Sequence, residues 1–200
     1  DDGKIHRWRR AEGAGGTWRA GDAMDAAAEQ KGGSADEPRG VVCLCESKGR
    51  ILSAVQKDNA VLVWRRVESG GQSSETATAS AGWACVAQLK GHKSWVTGMV
   101  AVHDECFVVT GSYDGTLRIF NLRDTKSNFF YEAAPAARTP AAVLAMGLLR
   151  CVASGGERVF VAGDDGGIHE WAVEVSAAGI GLKHRRTLRE GEGKAQGGAG

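Results

Sequence analysis

Residues 107–121 read FVVTGSYDGTLRIFN, and this stretch decides the fold. An apolar run over 106–112 leads into Asp114-Gly115, and a second run follows at 116–120. Asp-Gly is typical of tight hairpin turns, because both residues tolerate the positive φ angles that two-residue turns require. The stretch therefore predicts two antiparallel β-strands joined by a turn at Asp114-Gly115.

The same pattern occurs four times along the chain, as an aspartate followed six residues later by a large aromatic residue. Successive aspartates are 56, 56 and 51 residues apart. The turn aspartates are Asp2, Asp58, Asp114 and Asp165, and the aromatic residues that close the repeats are Trp8, Trp64, Phe120 and Trp171. Self-similarity at a nearly constant spacing indicates an architecture of stacked structural repeats.

Each complete hairpin is preceded by another apolar run, at 41–45, 96–102 and 143–149. Three consecutive runs with short connections predict an antiparallel meander in each repeat. A fourth strand is expected after the closing aromatic residue, and it is clearest at 85–90. The sequence therefore predicts an all-β chain built from four-stranded antiparallel sheets.

The third copy resembles a WD repeat, the unit from which the blades of one class of β-propeller are built. It has a Gly91-His92 opening, Trp95-Val96 soon after, and then the hairpin quoted above, so the resemblance is best over 89–122. It also covers 41–66 and 143–172, while residues 1–8 carry only the closing half of a repeat. The resemblance implies a propeller segment of about three and a half blades.

In WD repeats, the histidine, a serine or threonine of the second strand, the turn aspartate and the closing tryptophan form a buried hydrogen-bonded tetrad. The resemblance assigns three of these positions to His92, Thr110 and Asp114. Phe120 replaces the tryptophan and has no hydrogen to donate. Counting back from the turn aspartate places Ala54 and Val161 at the threonine position of the other blades, which also lack the Gly-His pair. We therefore expect incomplete tetrads and blades that depend mainly on packing.

The spacing exceeds the roughly 40–45 residues of a common blade, which implies insertions. The expected organisation is one partial propeller domain over 1–190, with a half-blade at 1–20, a low-complexity insertion at 21–40, blades at 41–90, 91–134 and 143–190, and a flexible Gly-rich tail at 191–200. Rings usually have about 4–8 blades. We therefore expect an open arc or a fragment, completed by the rest of a longer chain or by self-association.

Composition excludes several classes of protein. The 200 residues carry a net charge of +1, which argues against a generally basic nucleic-acid binder. No apolar run approaches the ~18 residues of a membrane-spanning helix. The five cysteines lie mostly in apolar runs without the spacing of a zinc site, which favours reduced core thiols in an intracellular protein, cytoplasmic or nuclear, with no metal or cofactor.

No arrangement of catalytic residues repeats along the chain. His6 and His169 occupy equivalent positions in closing strands. Strand alternation places them opposite their apolar neighbours, which predicts exposure to solvent or polar contacts between blades. No Ser-His-Asp set and no phosphate-binding glycine loop accompanies them, so we expect a protein that is not an enzyme.

Two surfaces are candidates for binding. The first is the end of the blades where the hairpin turns lie, and its residues are Trp95, Tyr113, Lys57 and Asp164. Exposed tyrosine and tryptophan dominate the energetics of protein interfaces. The second is a basic patch of Arg9, Arg10, Arg65 and Arg66, which would contact phosphate groups or nucleic acid.

The expected function is that of a protein-interaction scaffold, which presents loops of the propeller to partner proteins. A more specific alternative rests on residues 120–123, Phe-Asn-Leu-Arg. They resemble the Trp-Asp-x-Arg box of WD-repeat substrate receptors in cullin-type ubiquitin ligases. That alternative requires Arg123 for docking to the adaptor.

Overall fold

The structure is a computed structural model that describes residues 4–10, 18–25, 40–56, 59–67, 82–123, 131–151, 156–177 and 179–190. Within this part the chain forms fourteen strands and no helix. The strands are β1 (Lys4–Arg10), β2 (Trp18–Asp25), β3 (Val41–Ser47), β4 (Arg50–Val55), β5 (Val61–Arg66), β6 (Trp83–Leu89), β7 (Val96–Val102), β8 (Phe107–Ser112), β9 (Thr116–Asn121), β10 (Tyr131–Arg138), β11 (Val143–Cys151), β12 (Gly156–Gly163), β13 (Ile168–Ser176) and β14 (Gly179–Leu188).

The strands form antiparallel meanders in which neighbours in sequence are neighbours in the sheet. The first blade is β3-β4-β5-β6, the second β7-β8-β9-β10 and the third β11-β12-β13-β14, while β1 and β2 form a two-stranded sheet. The prediction of an all-β chain built from four-stranded antiparallel blades is therefore confirmed.

The second strand of each of the first two blades is covered on both faces. β8 is buried at all six positions, and β4 is buried at five of six. A strand between two neighbouring sheets lacks the alternation of apolar and charged residues, because neither face meets water, and FVVTGS accordingly has no charged residue. β14 lies at the sheet edge, and six of its ten residues are exposed, among them the four basic residues at 183–186.

Three apolar cores lie between successive sheets in chain order. The first joins Ile5 and Met24 of the two-stranded sheet to Trp64 of the first blade. The second joins the first blade to Phe120 of the second, and the third joins the second blade to Trp171 of the third. Each blade is therefore stabilised by burying its apolar face against its neighbour, as in other repeat architectures.

Glycine allows the closest approach between the second and third blades. A Cβ atom on Gly98 would lie 2.7 Å from Cγ of Met146, and one on Gly111 would also meet Met146 and would lie 2.7 Å from Cγ1 of Val143. The Met146 side chain of β11 thus packs directly on the backbone of β7 and β8. Only glycine leaves room for it.

Two strands run past the boundaries expected from sequence. β2 continues to Asp25, into the region expected to be a low-complexity insertion from residue 21, because it pairs with β1 along its length as far as Lys4. β10 continues to Arg138, beyond the boundary expected at 134. Its pairing with β9 is interrupted by two irregularities, so eight residues lie opposite six.

The hairpin turns differ from the expected type. Gly115 and Gly166 both have φ of 72°, whereas Asp114 and Asp165 are not among the described residues with positive φ. Gly115 donates its N–H to the Ser112 carbonyl, and the equivalent bond occurs in the third blade. The turn therefore needs positive φ at glycine only, and the aspartate has another purpose.

Candidate functional site

His92, Thr110 and Asp114 are brought together in the second blade. His92 is buried, and its Nε2 lies 2.8 Å from Thr110 Oγ1. Its Nδ1 lies 3.4 Å from Asp114 Oδ2 and 3.1 Å from Thr116 Oγ1. Thr116 is a member that the sequence analysis missed, although its place directly after Asp-Gly was visible.

The Asp114 carboxylate links the β8–β9 turn by hydrogen bonds to the segment that precedes β7. It accepts the Thr116 N–H at 2.9 Å and the Lys93 N–H at 2.7 Å. Burial by itself raises the pKa of Asp114, but the hydrogen bonds from Lys93 and Thr116, together with His92, hold it below its ordinary value of 3.8. Burial lowers the pKa of His92 below 6.5, so the imidazole is held neutral at neutral pH.

The third blade has its own histidine network, built differently. His169 is 1% exposed, and its Nε2 lies 3.1 Å from Asp165 Oδ1 while its Nδ1 lies 2.9 Å from Thr187 Oγ1. The expectation of solvent exposure or polar contacts between blades is not met at His169: it is buried, and its two ring nitrogens bond to residues of its own blade, while the neighbouring Ile168 is exposed. His6, its counterpart in β1, is exposed.

The first blade also contains a polar pair that counting from the turn aspartate missed. Trp64 donates its indole N–H to Ser53 Oγ at 2.9 Å, with both residues buried. The register pairs Ile51 with Trp64 and Val108 with Phe120, so Ser53 and not Ala54 corresponds to Thr110. The hairpin of the first blade is one residue longer, which shifts any count made from its aspartate.

The closing aromatic residues differ in their polar contacts. Phe120 packs in the core between the first and second blades. The Trp171 indole N–H is buried and finds no acceptor among the described atoms, since Val161 stands where the serine stands in the first blade. Trp8 lies in β1, but its side chain is outside the described part, as are Asp2 and Asp58.

Two aromatic side chains are exposed together at the end of the second blade that carries the β8–β9 turn, which we call the hairpin end. Trp95 is 40% exposed and Tyr113 is 52% exposed. Tyr113 donates its backbone N–H to the Trp95 carbonyl at 2.9 Å, which keeps the two residues adjacent. Asp164 is exposed at the same end of the third blade, while Lys57 lies outside the described residues.

The arginine candidates lie at the opposite end of the blades. Arg65 and Arg66 end β5 and are exposed. Arg9 and Arg10 end β1, and their side chains lie outside the described part, so the basic patch of four arginines stays a prediction. Arg123 is exposed, with its guanidinium carbon 4.9 Å from the centre of the Phe107 ring.

At this opposite end, a glutamate of each later blade binds the turn of the blade before it. Glu105 Oε2 accepts the Lys48 N–H at 2.8 Å, and Glu157 Oε2 accepts the His103 N–H at 2.5 Å. These contacts join residues more than fifty positions apart. No local pattern in the sequence identifies them.

The described residues contain no group of three or more His, Cys, Asp or Glu side chains placed to hold a metal ion. In the same ranges no helix has the length and apolar character to cross a membrane. A pocket of about 420 Å³ on the first blade is lined by Leu44, Cys45, Glu46, Gly49, Ile51 and Trp83. Its lining is mainly apolar.

Comparison with known proteins identifies one repeat. Residues 83–121 match the family model described as WD domain, G-beta repeat. The match begins with β6, the outer strand of the first blade, and ends with β9, so the repeat in sequence is offset by one strand from the blade. The comparison with curated proteins gave no significant match. Repeats of this kind generally form non-enzymatic modules that bind other proteins, and in this chain the matching residues lie within four-stranded antiparallel sheets like those of β-propeller blades.

Proposed function

We propose that the chain binds a partner protein through Trp95 and Tyr113 at the hairpin end of the second blade. The observation that carries the proposal is the joint exposure of these two side chains, at 40% and 52%, on backbones tied directly to each other. Tryptophan and tyrosine contribute a disproportionate share of binding energy at protein interfaces. The proposed module performs no catalysis.

Rigidity beneath the two aromatic residues supports the proposal. The backbone N–H of Lys93 donates a hydrogen bond to the Asp114 carboxylate, and Ser112 Oγ donates one to the Ser94 carbonyl at 3.0 Å. Both bonds fix the segment that carries Trp95 against the hairpin that carries Tyr113. A surface whose side chains are already ordered loses less conformational entropy when a partner binds.

The size of the effect follows from the exposed area. Aromatic side chains bury about 150–250 Å² each when fully covered, and the exposed part of Trp95 is less than half of its surface. At about 25 cal/mol per Å², covering it contributes about 2 kcal/mol. Trp95→Ala should therefore weaken binding by about 30-fold, and Tyr113→Ala by a similar factor.

The test is quantitative affinity purification with the wild-type chain, Trp95→Ala, Tyr113→Ala and Val175→Ala. Val175 is 51% exposed at the opposite end of the third blade, so it is a matched control for loss of exposed apolar surface. Partners that are depleted by both aromatic variants and retained by the control support the proposal. Partners retained by all variants would contradict it.

The alternatives remain proposals with their own tests. A role as substrate receptor of a cullin-type ubiquitin ligase requires Arg123, and an Arg123→Ala variant that keeps its adaptor would exclude it. Contact with phosphate groups or nucleic acid through Arg65 and Arg66 predicts binding that weakens steeply with salt. We propose an intracellular location, in the cytoplasm or nucleus, on the basis of the reduced cysteines.

A further inference from the structure

A lysine and a cysteine meet where the turns of the first and second blades touch. Lys48 Nζ lies 3.0 Å from Cys106 Sγ. Beside them, Ser47 Oγ donates to the Glu105 carbonyl at 2.7 Å, and the Lys48 N–H donates to Glu105 Oε2 at 2.8 Å. The amine and the thiol are therefore held opposite each other by two further bonds between the same turns.

The backbone around the thiol is fixed as well. The Cys106 N–H donates to the His103 carbonyl at 3.0 Å, and the Cys106 carbonyl accepts the Leu122 N–H at 2.8 Å. Lys48 itself stands in a turn with φ of 48°. Cys106 is only partly buried, and the Lys48 side chain beside it is exposed, so the contact lies near the surface, where a small oxidant can approach.

We propose that hydrogen peroxide converts this contact into a reversible covalent link between Lys48 Nζ and Cys106 Sγ. The Cys106 thiol first takes one oxygen atom from peroxide, which gives a sulfenic acid and one molecule of water. The Lys48 ammonium group gives its extra proton to solvent, the resulting amine attacks the sulfur, and the N–S bond forms as the S–O bond breaks. The hydroxide that leaves takes a proton from the nitrogen and departs as water. Two equivalents of an added thiol reverse the reaction, restoring thiol and amine and forming a disulfide.

Burial makes two thiols of the first blade, Cys43 and Cys45, poorer targets for peroxide than Cys106. The thiolate is the form of cysteine that reacts with peroxide. Burial raises the pKa of Cys43 to about 12, and burial also raises the pKa of Cys45, so both remain protonated. The flexible lysine stem needs only a small movement of its end to bring Nζ onto the sulfur of Cys106.

The link would fasten two blades that otherwise meet through packing and hydrogen bonds. It joins residues 58 positions apart, at the end of the blades away from Trp95 and Tyr113. An oxidised chain should therefore open less readily between its first and second blades. The proposal does not depend on what the hairpin end binds.

The experiment uses the full chain, reduced and then treated with hydrogen peroxide before remaining thiols are alkylated. Peptide mapping by mass spectrometry should find the peptide with Lys48 joined to the peptide with Cys106. The joined mass should be two hydrogens below the sum of the two peptides, and dithiothreitol should abolish it. Cys106 that proceeds to sulfinic acid without any joined peptide would overturn the proposal.

Variants separate this pair from unspecific cross-linking. Lys48→Met keeps an apolar stem on an exposed residue but removes the amine, and it should eliminate the joined peptide completely. Lys93→Met removes an exposed lysine at the hairpin end and should leave the yield unchanged. Joined peptides of similar yield between Cys106 and several other lysines would overturn the assignment.

Discussion

Trp171 offers a sharp test of how polar pairs stabilise the blades. Its indole N–H is buried without an acceptor among the described atoms, whereas Trp64 in the first blade donates to Ser53 at 2.9 Å. Val161 stands at the corresponding position of β12, two residues beyond the register partner of Trp171. Val161→Thr should supply the missing acceptor, because threonine has almost the shape of valine.

The magnitude follows from two opposing contributions. Val161 is 0% exposed, and a threonine hydroxyl buried there without a partner would cost about 1–3 kcal/mol. The hydrogen bond contributes about 1 kcal/mol, and it also relieves a buried donor whose lack of a partner costs about 1–3 kcal/mol. The two contributions offset each other, so the free energy of unfolding of Val161→Thr should lie within about 1 kcal/mol of the wild-type value.

Val159→Thr is the matched control, because Val159 is also 0% exposed and lies on the same strand and the same face. It offers no acceptor to the indole nitrogen, and it should lose about 1–3 kcal/mol. Equilibrium denaturation in urea, followed by tryptophan fluorescence, gives both values. Equal destabilisation of the two variants would refute the view that Val161 occupies the position of Ser53.

Three further predictions concern acid, the contacts between turns and the contacts between blades. The free energy of unfolding should fall as the pH is lowered, because the pKa values of His92 and Asp114 are both lower in the folded chain than in the unfolded chain. The loss due to His92 should begin near pH 6.5 and the loss due to Asp114 near pH 3.8, and thermal melting at a series of pH values measures both. Glu105→Ala should raise the hydrogen-exchange rate of the Lys48 amide about fivefold, because it removes a hydrogen bond that contributes about 1 kcal/mol to keeping this amide protected. Gly98→Ala should cost about 1–3 kcal/mol in denaturant unfolding, because its Cβ would lie 2.7 Å from a methionine of the third blade.

Each of these predictions has a control. His92→Gln should reduce the decline in stability near neutral pH, since position 92 then takes up no proton when the chain unfolds. Glu105→Gln keeps an acceptor oxygen and should restore most of the protection of the amide. Gly147→Ala places its Cβ where no atom lies within 4 Å, so a loss as large as that of Gly98→Ala would contradict the packing argument.

The arrangement of the blades could be predicted because it is encoded locally. An aspartate at the turn, an aromatic residue six positions later and an apolar run before the hairpin mark three strands without any tertiary information. The aspartates themselves have a different purpose from the one predicted. Asp114 and Asp165 are required for their carboxylates, which accept N–H groups at 2.9 Å and 3.1 Å, rather than for positive φ.

The polar contacts were less predictable, for reasons that particular residues illustrate. His169 was expected to be exposed to solvent or to make polar contacts between blades because strand alternation assumes one solvent-facing side, yet it is 1% exposed and bonds to Asp165 and Thr187 within its own blade. Ser53 was missed because hairpin length varies by one residue between blades. Glu105 and Glu157 bind turns more than fifty residues away, and no spacing rule extends so far.

The most direct test of the proposed binding surface is site-specific photocrosslinking. A photoreactive phenylalanine analogue is placed at position 113 in one variant and at position 175 in another, since Tyr113 and Val175 are 52% and 51% exposed at opposite ends of the blades. The account predicts protein adducts from position 113 that decrease when Trp95 is changed to alanine, and few from position 175. Adducts from position 175 alone would contradict it, and so would a yield of adducts from position 113 that stays the same when Trp95 is changed to alanine.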